Sequence, residues 1–404
     1  MKIKKYLVYT ENHARGGANK YLIDFINALP DFEIKLISNY GGIYPDEIAQ
    51  IKKSFSYQQY NIVGFHLKPF FNNNGFLSNL LNKLFRKFFS VLSFFYNIVF
   101  FIIILTKIKP DCVHIFNGGL PGGISCLSLA IASRLLKIKN IMTLLSVPLL
   151  KNNHFILKFY GYIALKSSNY FIVNSKAIKK ELIYEHNVPD SKITIIYNGL
   201  DSNQCGNQNR FQNYIFERFG CTLNKNEKII TCVGRFDELK GQKFLISAIE
   251  KLKNQECKYK VIFVGKGPLL NDIIKYTNEL QLQDIVWFIE YYPYTIYDVL
   301  ENSDIFVFPT LHEGFSYALL EAMKSNCAII ATNICGNVEA IDDNITGVCV
   351  NPMSPDEIAL KLSLYLTSNK LIEKHSKASL EKFKNLFTIK IFEKNVVKFI
   401  INMR

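Results

Sequence analysis

The sequence lacks the closely spaced cysteine pairs that metal sites and disulfide frameworks require. Its nine cysteines are scattered along 404 residues, and no Cys-x2-Cys motif occurs. This pattern excludes zinc-ribbon and disulfide-rich classes and predicts reduced thiols. No cleavable leader opens the chain, because residues 1–5 lead directly into a predicted strand from Tyr6 to Thr10. We therefore expect a protein of the cytoplasm.

Acidic residues are scarce in the first half. Asp111 is the only one between Ile48 and Lys180. Up to residue 200 the chain has 24 Lys and Arg against 10 Asp and Glu, whereas the remainder has 24 of each, so the whole net charge of +14 lies in the first half. That half should present a broad positive surface. Nucleic acid is a poor partner for it, because the basic residues are dispersed among aliphatic ones and no helix-turn-helix, finger or RNP-like pattern occurs.

Residues 76–105 combine a basic amphipathic helix with a long apolar run. Large apolar residues recur at helical spacing, and basic residues lie on the other faces. The apolar positions are Leu77, Leu80, Leu81, Leu84, Phe85, Phe88, Phe89 and Leu92, and the basic ones are Lys83, Arg86 and Lys87. The 18 residues from Phe88 to Leu105 carry no charge, and a run of that length raises the possibility of a membrane span.

Two interpretations of this run stay open, a membrane span and a helix that covers a sheet. A strand predicted from Asp111 to Phe116 follows at once, and parallel strands need such a crossover helix. A single span would also place the two halves of one domain on opposite sides of a membrane, so we favour a buried second half. For the first half, the basic flanks favour contact with an anionic membrane.

Length and composition predict two domains, because 404 residues with 49% hydrophobic residues exceed one ordinary core. In the second half, four loops that follow strand-like runs predict a single site. They are Gly234–Gly241, Gly265–Pro268, His312–Ser316 and Asn333–Asn337. Ligands of open α/β sheets bind at the carboxyl ends of parallel strands, so these loops should meet around one nucleotide-sized ligand.

The third of these loops follows the apolar run Asp304–Pro309 and holds a Glu-x7-Glu element. Glu313 precedes a predicted helix and Glu321 lies within its first two turns, so both carboxylates can reach one pocket. The backbone N–H groups of residues 315–317 can receive a phosphate or polar hydroxyls. Because carboxylates accept hydrogen bonds from sugar hydroxyls, the element suggests a nucleotide sugar. A buried loop with two solvated acids is the structural alternative.

Two basic residues, Arg235 and Lys240, lie five apart in the first of the four loops. Neither has an obvious local partner in the sequence. Their positive charge is what a diphosphate requires, which agrees with a nucleotide ligand.

Taken together, these motifs resemble the retaining glycosyltransferases of family 4, which have the two-domain GT-B fold. In the second half the resemblance rests on V-G-R-F-x3-K-G from Val233, V-G-x-G-P from Val264, E-G-F-S-x4-E-A-M from Glu313 and G-x2-E from Gly336. In the first half it rests on Arg15-Gly16-Gly17-Ala18, Pro110–Asn117, Val173–Ser175 and Ile195–Asp201. It covers nearly the whole chain.

The resemblance implies a role for each matching residue. Arg235 and Lys240 would neutralise the donor diphosphate, and Glu321 would hold the ribose. Glu313 would hold the transferred sugar, and His114 would lie over that sugar at the reacting centre. The implied donor-binding set is Gly16, Gly17, Arg235, Lys240, Gly265, Glu313, Gly314, Phe315, Ser316 and Glu321, and the implied catalytic set is His114, Glu313, Arg235 and Lys240.

The resemblance also implies a reaction. A bacterial hexosyltransferase would move a sugar from a UDP- or GDP-sugar to a glycan or lipid-linked precursor of lipopolysaccharide, capsule or a similar polysaccharide, with a soluble acceptor still open. Retention implies front-face attack, in which the departing phosphate oxygen helps take the acceptor proton. No Asp-x-Asp motif occurs, which argues against a metal-dependent GT-A-type enzyme and an essential Mg²⁺. The enzyme would be peripheral on the inner face of the plasma membrane.

The sequence departs from the family pattern at two turns and one loop. Lys324–Cys327 stands where the family has a glycine, and Asn337 stands for the second of two paired glycines. Asn tolerates positive φ, so we expect both turns to form. The base-binding loop near Ile289–Tyr292 also lacks the expected glycine. The missing glycines leave an alternative function open, a catalytically inactive partner subunit docked at an anionic membrane.

The predicted architecture is two Rossmann-like α/β domains that face each other across a central cleft. Residues 1–202 would form the acceptor-binding domain and residues 203–382 the nucleotide-sugar-binding domain. Residues 383–404 would form a helix that packs back on the first domain. Its buried face would include Phe387, Ile391, Val396, Val397 and Ile400.

Overall fold

The computed structural model describes residues 3–11, 16–39, 43–62, 76–120, 122–146, 155–224, 226–253 and 258–403, with the backbone alone for 76–90 and 155–157. The chain divides into two compact units. Unit 1 comprises Met1–Tyr197 and Phe392–Arg404, and unit 2 comprises Asn198–Ile391. The boundary thus lies slightly before the predicted residue 202, and the chain returns to unit 1 at residue 392 rather than 383.

Unit 1 is built on a seven-stranded sheet. Its strands are β1 Lys5–Thr10, β2 Glu33–Asn39, β3 Phe55–Tyr60, β4 Cys112–Phe116, β5 Lys139–Leu144, β6 Tyr170–Val173 and β7 Ile193–Ile195. They pair in parallel in the order β3-β2-β1-β4-β5-β6-β7. The register places Tyr6 opposite Cys112 and Thr10 opposite Phe116, so β1 and β4 end side by side. The order reverses between these two strands, which is where sheets of this class bind ligands.

The helices of unit 1 connect these strands. They are α1 Gly17–Ala28, α2 Pro45–Ile48, α3 Phe76–Ile108, α4 Ile124–Leu135, α5 Phe155–Ser167 and α6 Lys176–Tyr184. The inner strands are buried almost throughout, as in β4, where every residue is buried, whereas the edge strand β3 has no buried residue. Such continuous burial is typical of parallel strands covered by helices on both faces.

Helix α3 corrects the expectation of a buried second half. Only 28% of Val91–Ile108 is buried. One face packs into the core of unit 1 through Phe94, Ile98, Phe101 and Leu105, while the opposite face is exposed. The helix therefore covers the sheet with one side only. The predicted basic side chains Lys83, Arg86 and Lys87 and the apolar ones from Leu77 to Phe89 lie outside the described side chains.

Unit 2 is built on a six-stranded parallel sheet. Its strands are β8 Lys228–Val233, β9 Tyr259–Val264, β10 Val286–Ile289, β11 Ile305–Phe308, β12 Ala328–Thr332 and β13 Val348–Val350. They pair in the order β10-β9-β8-β11-β12-β13. Each unit is thus an open parallel α/β sheet, which confirms the predicted fold class. The order reverses between β8 and β11, so the loops that follow these two strands frame the switch point.

Several helices of unit 2 start at residues whose side chains cap them. They are α7 Gln208–Phe219, α8 Gln242–Lys251, α9 Leu270–Glu279, α10 Ile296–Leu300, α11 Tyr317–Lys324, α12 Asn337–Ala340, α13 Pro355–Leu366 and α14 Asn369–Leu386. The side chains of Asn207, Ser354 and Ser368 accept hydrogen bonds from backbone N–H groups in the first turns of α7, α13 and α14. These contacts satisfy donors that a helix start otherwise leaves unpaired.

The last helix, α15 Ile389–Asn402, begins in unit 2 and continues in unit 1. Within unit 1, the Phe392 ring lies 5.1 Å from the Tyr21 ring and the Phe399 ring lies 6.3 Å from the Tyr170 ring. Val396 and Ile400 are buried on the same face. Aromatic contacts and apolar burial therefore hold the end of the chain to unit 1.

Candidate functional site

The loop between β8 and α8 carries both predicted diphosphate ligands. The Asp237 side chain starts its single 3-10 turn, Glu238–Lys240, by accepting a hydrogen bond from the Leu239 N–H at 3.0 Å. Gly241 ends the turn with a φ of +66°, a left-handed conformation that favours glycine. The turn is therefore determined by its own sequence, and it directs the Lys240 side chain toward the loop after β11.

Backbone hydrogen bonds tie this loop to the one that follows β11. The Leu239 carbonyl accepts from the Leu311 N–H at 2.7 Å and from the Thr310 hydroxyl at 2.8 Å. The Arg235 carbonyl accepts from the Gln242 side chain at 2.8 Å. The two loops at the switch point thus form one connected framework, on which charged side chains can be held in place.

Each predicted diphosphate ligand has an acidic partner. Lys240 Nζ forms a short ion pair with Glu313, and Arg235 Nε lies 3.6 Å from Asp237 Oδ2. The expectation of no local partner is therefore wrong for Arg235, whereas the partner of Lys240 lies 73 residues away in the sequence. The side chains of Lys240 and Glu313 are 24% and 21% exposed, whereas that of Arg235 is 63% exposed. Arg235 is thus the more accessible cation, and an incoming diphosphate must compete with a carboxylate for Lys240.

The backbone between Glu313 and α11 is held from two sides. A Cβ on Gly336 would overlap the Gly314 carbonyl oxygen, so glycine at 336 permits the close approach of the loop after β12. The buried Phe315 accepts a hydrogen bond on its carbonyl from Asn198 at 2.7 Å. Ser316 precedes α11 and gives the helix no side-chain cap. A helix start without such a cap can donate its N–H groups to an anion or to hydroxyls.

The two departures from the family turns have different outcomes. Asn326 adopts a φ of +60°, so the first turn forms with Asn in the left-handed conformation, as expected. Asn337 does not do so, because the positive φ of that loop, +35°, belongs to Cys335. Asn337 instead is buried in α12 and donates to the Thr332 carbonyl and hydroxyl at 3.1 and 3.2 Å. Its amide therefore fastens the loop to β12.

Glu321 lies on α11 beside Tyr297 of α10. Burial raises the pKa of the Tyr297 hydroxyl, and the Glu321 charge adds to this rise. Lys324 Nζ lies 3.6 Å from the centre of the Tyr297 ring and bonds the Gln204 carbonyl, while burial lowers the pKa of the Lys324 amine. Sequence reasoning missed Tyr297 and Lys324, because no motif marks them. They form the surroundings of the predicted ribose ligand.

Gly265, predicted to bind the donor, lies at the end of β9. Its N–H donates to the Ile289 carbonyl at 2.9 Å, and a Cβ there would overlap the Gly234 carbonyl oxygen. The close packing of the loops after β8 and β9 thus explains why residue 265 is a glycine, without any need for a role in donor binding.

Gly16 and Gly17 lie in unit 1, at the carboxyl end of β1. The Gly16 carbonyl accepts from the Asn19 and Lys20 N–H groups at 3.1 and 3.3 Å, which starts α1. Both glycines are exposed, and a Cβ on Gly16 would contact none of the described residues within 4 Å. With respect to these residues, the start of α1 is therefore open. Arg15 of the same motif lies outside the described residues.

The structure contradicts the predicted role of His114. The side chain lies in the middle of β4 and is completely buried. Its Nδ1 is 3.0 Å from the Tyr6 hydroxyl and its Nε2 is 2.6 Å from the Thr143 hydroxyl, while Phe25 and Phe116 pack on the ring. Burial lowers the pKa of the imidazole well below its usual value. Both nitrogens are occupied and no face is open, so this ring is part of the core.

A buried carboxylate at the end of β1 escaped sequence reasoning. Glu11 accepts from the Ser125 N–H at 3.0 Å and from the Ser125 hydroxyl, and Tyr9 lies 2.5 Å from the same hydroxyl. Its side chain therefore anchors the start of α4, where a negative charge is favourable. An acid directly after a buried strand is the signal that could have found it.

Two family models match the chain. Glycosyltransferase Family 4 matches residues 15–204, and Glycosyl transferases group 1 matches residues 214–382. The chain belongs to the family 4 glycosyltransferases. The predicted recognition, based on the loop motifs of both halves, is thus confirmed.

Three curated relatives of this family 4 member also carry the names of glycosyltransferases. An uncharacterized glycosyltransferase of Methanocaldococcus jannaschii is 27% identical over 199 residues, 49% of this chain and 51% of the relative. The N-acetylgalactosamine-N,N'-diacetylbacillosaminyl-diphospho-undecaprenol 4-alpha-N-acetylgalactosaminyltransferase of Campylobacter jejuni is 25% identical over 249 residues, 61% of this chain and 64% of the relative. The capsular polysaccharide biosynthesis glycosyltransferase CapM of Staphylococcus aureus is 26% identical over 299 residues, 72% of this chain and 76% of the relative. The chain thus spans between half and two thirds of the length of the first two.

A solved structure supports the fold. Anabaena HepE in complex with UDP covers 98% of this chain and 100% of its own, with a TM-score of 0.77 and 16% identity. At that identity the likeness concerns the fold, which is the GT-B fold of two parallel-sheet α/β domains.

Proposed function

We propose that this protein is a retaining, metal-independent glycosyltransferase that moves a hexose from a nucleoside diphosphate sugar to a glycan or lipid-linked acceptor of a cell-surface polysaccharide. The Lys240–Glu313 ion pair, together with the exposed Arg235 on the same loop as Lys240, carries this proposal. Two cations and a carboxylate on adjoining loops can bind a diphosphate and sugar hydroxyls together. UDP is the first donor nucleotide to test, because HepE is a UDP complex, and GDP is the second.

Donor binding would exchange partners within the site. The Lys240 amine would leave Glu313 for the diphosphate, and the freed carboxylate would accept hydrogen bonds from the sugar. Arg235 is exposed enough to reach the same diphosphate from its position beside Asp237. The backbone of residues 314–316 would hold the sugar hydroxyls, and Glu321 would hold the ribose. Lys240 would thus exchange a carboxylate for a phosphate charge, and Glu313 would exchange an ammonium for hydrogen bonds from neutral hydroxyls.

The reaction follows from where charge develops. As the bond between the anomeric carbon and the phosphate oxygen breaks, negative charge grows on that oxygen, and Arg235 and Lys240 stabilise it. The same oxygen takes the proton of the acceptor hydroxyl, whose oxygen bonds the anomeric carbon on the face that the phosphate leaves. Configuration is therefore retained. Two side-chain cations supply the charge stabilisation for which other transferases use a metal ion, and His114 has no part in this step.

We further propose that the protein works at the inner face of the plasma membrane as a peripheral protein. The charge excess of the first half supports this, because anionic head groups attract such a surface. The name of the Campylobacter relative specifies a diphospho-undecaprenol compound, which is an isoprenoid lipid. The alternative of an inactive partner subunit has no observation in its favour.

Thermal shift against UDP-, GDP-, ADP- and CMP-sugars tests the donor site. We expect one nucleotide class to raise the melting temperature by a few degrees, and Arg235→Ala to abolish the rise. Lys243→Ala, which removes an exposed lysine from α8 nearby, is the matched control and should keep it. A flat panel, or a rise that persists in Arg235→Ala, would contradict the site. With the donor identified, NMR of the product anomer tests retention, and turnover in excess EDTA tests metal independence.

A further inference from the structure

The outer face of α3 is an exposed apolar stripe. It consists of Leu92, Phe95, Tyr96, Val99 and Ile103, which are between 48% and 59% exposed. The last four follow Leu92 by three, four, seven and eleven residues, which places all five on one side of the helix. Soluble proteins rarely leave so many large apolar side chains contiguous, and such patches mark interaction sites.

Helix α5 extends this surface. The Phe94 and Tyr160 rings stack at 3.7 Å and join the two helices. Beside this stack, α5 exposes Phe159 and Tyr162, each more than half exposed. Aromatic rings with a polar edge are the side chains that prefer the boundary between lipid and water. We call the stripe together with Phe159 and Tyr162 the outer aromatic face.

The inner face of α3 excludes a bilayer span as the use of this stripe. Phe94, Ile98, Phe101 and Leu105 are buried in the core of unit 1 with α4. The Ser128 hydroxyl of α4 also donates to the Phe94 carbonyl at 3.2 Å. A span would have to pull these side chains out of the core. The geometry therefore permits insertion only to the depth of the exposed side chains.

The charge around the outer aromatic face selects the partner. Helices α3, α4 and α5 contain no acidic residue, and they carry four, one and two Lys or Arg, respectively. Lys107, Arg134, Lys158 and Lys166 are exposed. In a symmetric dimer the same patch faces itself, so cations would oppose cations. An anionic bilayer offers the complementary charge together with an apolar interior.

We propose that the outer aromatic face inserts side-on into the head-group region of an anionic lipid bilayer. The purpose of this contact rests on the proposed function, because a lipid-linked acceptor would be presented at the same bilayer. The contact itself depends only on apolar area and charge.

Vesicle co-sedimentation tests the surface. The full chain is mixed with vesicles of phosphatidylethanolamine and phosphatidylglycerol, and separately with pure phosphatidylcholine vesicles. We expect binding to the anionic vesicles. The double variant Phe95→Ser/Val99→Ser should bind them at least about tenfold more weakly, since each substitution removes several carbons that would be buried in the bilayer. The control Leu360→Ser/Leu364→Ser removes two exposed leucines four apart on α13 and should bind like the wild type.

A fluorescent reporter locates the inserted face. Trp287 is the only tryptophan, so Phe95→Trp in a Trp287→Phe background gives a single probe, with Leu360→Trp as its counterpart. We expect a blue shift and quenching by brominated lipid for Phe95→Trp alone. Equal quenching at both positions, or unchanged binding in Phe95→Ser/Val99→Ser, would overturn the proposal. So would a wild-type dimer that the serine pair dissociates while neither binds vesicles.

The donor thermal shift, measured on the same variants, keeps the two proposals separate. Phe95→Ser/Val99→Ser should keep the wild-type donor response, because the substitutions lie in unit 1 and the donor loops lie in unit 2. A flat donor panel with intact vesicle binding would refute the transferase proposal and leave the lipid surface standing.

Discussion

The switch points of the two sheets have the same topology but opposite chemistry. In unit 2, the loops after β8 and β11 hold Arg235, Lys240 and Glu313 in ion pairs that remain partly exposed. In unit 1, the end of β1 holds Glu11 in a buried network with Ser125. The sheet edge of unit 2 thus carries charges that can change partner, whereas the charge at the sheet edge of unit 1 holds the start of α4 in place.

This difference shows that position at a strand end does not by itself make a binding group. A partly exposed ion pair costs less to open, because water and a ligand can reach and replace the partner. A buried, fully hydrogen-bonded carboxylate costs much more, because its loss leaves donors unsatisfied. We therefore expect the donor to bind at the edge of unit 2, whereas at the corresponding edge of unit 1 Glu11 holds the start of α4 through Ser125.

Breaking the exchangeable pair should have the largest effect. We expect Glu313→Ala and Lys240→Ala each to lower kcat by about a hundredfold or more, because losing one charged contact to the transition state costs about 3 kcal/mol. Initial rates at saturating donor measure this, with Lys243→Ala as the neighbouring lysine control. Because the two residues act on one ligand, the double variant should lose less than the product of the single losses. Wild-type turnover in either single variant would remove that residue from the site.

The buried histidine should show the reverse behaviour. We expect His114→Ala to lower the free energy of unfolding by about 3 kcal/mol, because it leaves a cavity and two buried hydroxyls, those of Tyr6 and Thr143, without their partner. The kcat of the folded protein should stay within about threefold of wild type. Urea unfolding and active-protein kinetics together decide the point. A hundredfold fall in kcat at unchanged stability would restore His114 as a catalyst.

Much of the site could be predicted because its residues follow local patterns. Glycine-containing loops after apolar runs predicted a single site in the second half, and the family motifs assigned both Lys240 and Glu313 to it. The direct Lys240–Glu313 pair could not be predicted, because side-chain contact between loops depends on the register of two strands distant in the sequence. His114 was misplaced for a related reason. A motif gives its strand, whereas the Phe25 and Phe116 rings that enclose it are brought together by folding alone.

The two faces of α3 show the same limit in the fold. Burial of the apolar run from Phe88 to Leu105 was predicted because a strand follows it at once and a single span would divide the domain. An apolar composition, however, does not tell which side of a helix meets the core. Packing against α4 decides this, and it covers Phe94 and Ile98 while Phe95 and Val99 stay exposed. Composition thus predicted the helix, and tertiary contacts determined its surface.

Substitution of Glu11 at the end of β1 should lower the free energy of unfolding by less than substitution of His114 does. We expect Glu11→Gln to lower the free energy of unfolding by about 1–2 kcal/mol, because the amide nitrogen of Gln cannot accept a hydrogen bond. Either the Ser125 donors, which share one carboxylate oxygen, or the Asn39 amide, 3.5 Å from the other oxygen, would lose its acceptor. The donor thermal shift should not change. Glu33→Gln, an exposed acid 3.9 Å from Lys5, is the control and should alter stability by less than about 0.5 kcal/mol. A lost donor response in Glu11→Gln would give this edge a part in donor binding.

The pH dependence of stability tests whether the buried His114 stays neutral in the folded protein, and it is the smallest effect we expect. Burial lowers the pKa of His114 below its usual value, so the folded protein keeps this ring neutral while the unfolded chain takes up a proton near pH 6.5. Stability should therefore be complete above about pH 6.5 and fall as the pH decreases, by at most about 1.4 kcal/mol per pH unit for one proton. Urea unfolding at several pH values measures this slope. His186 and His375 also have lowered pKa values and add to it. His114→Phe should reduce the slope by one histidine's share, and an unchanged slope would mean that the ring is protonated inside the folded core.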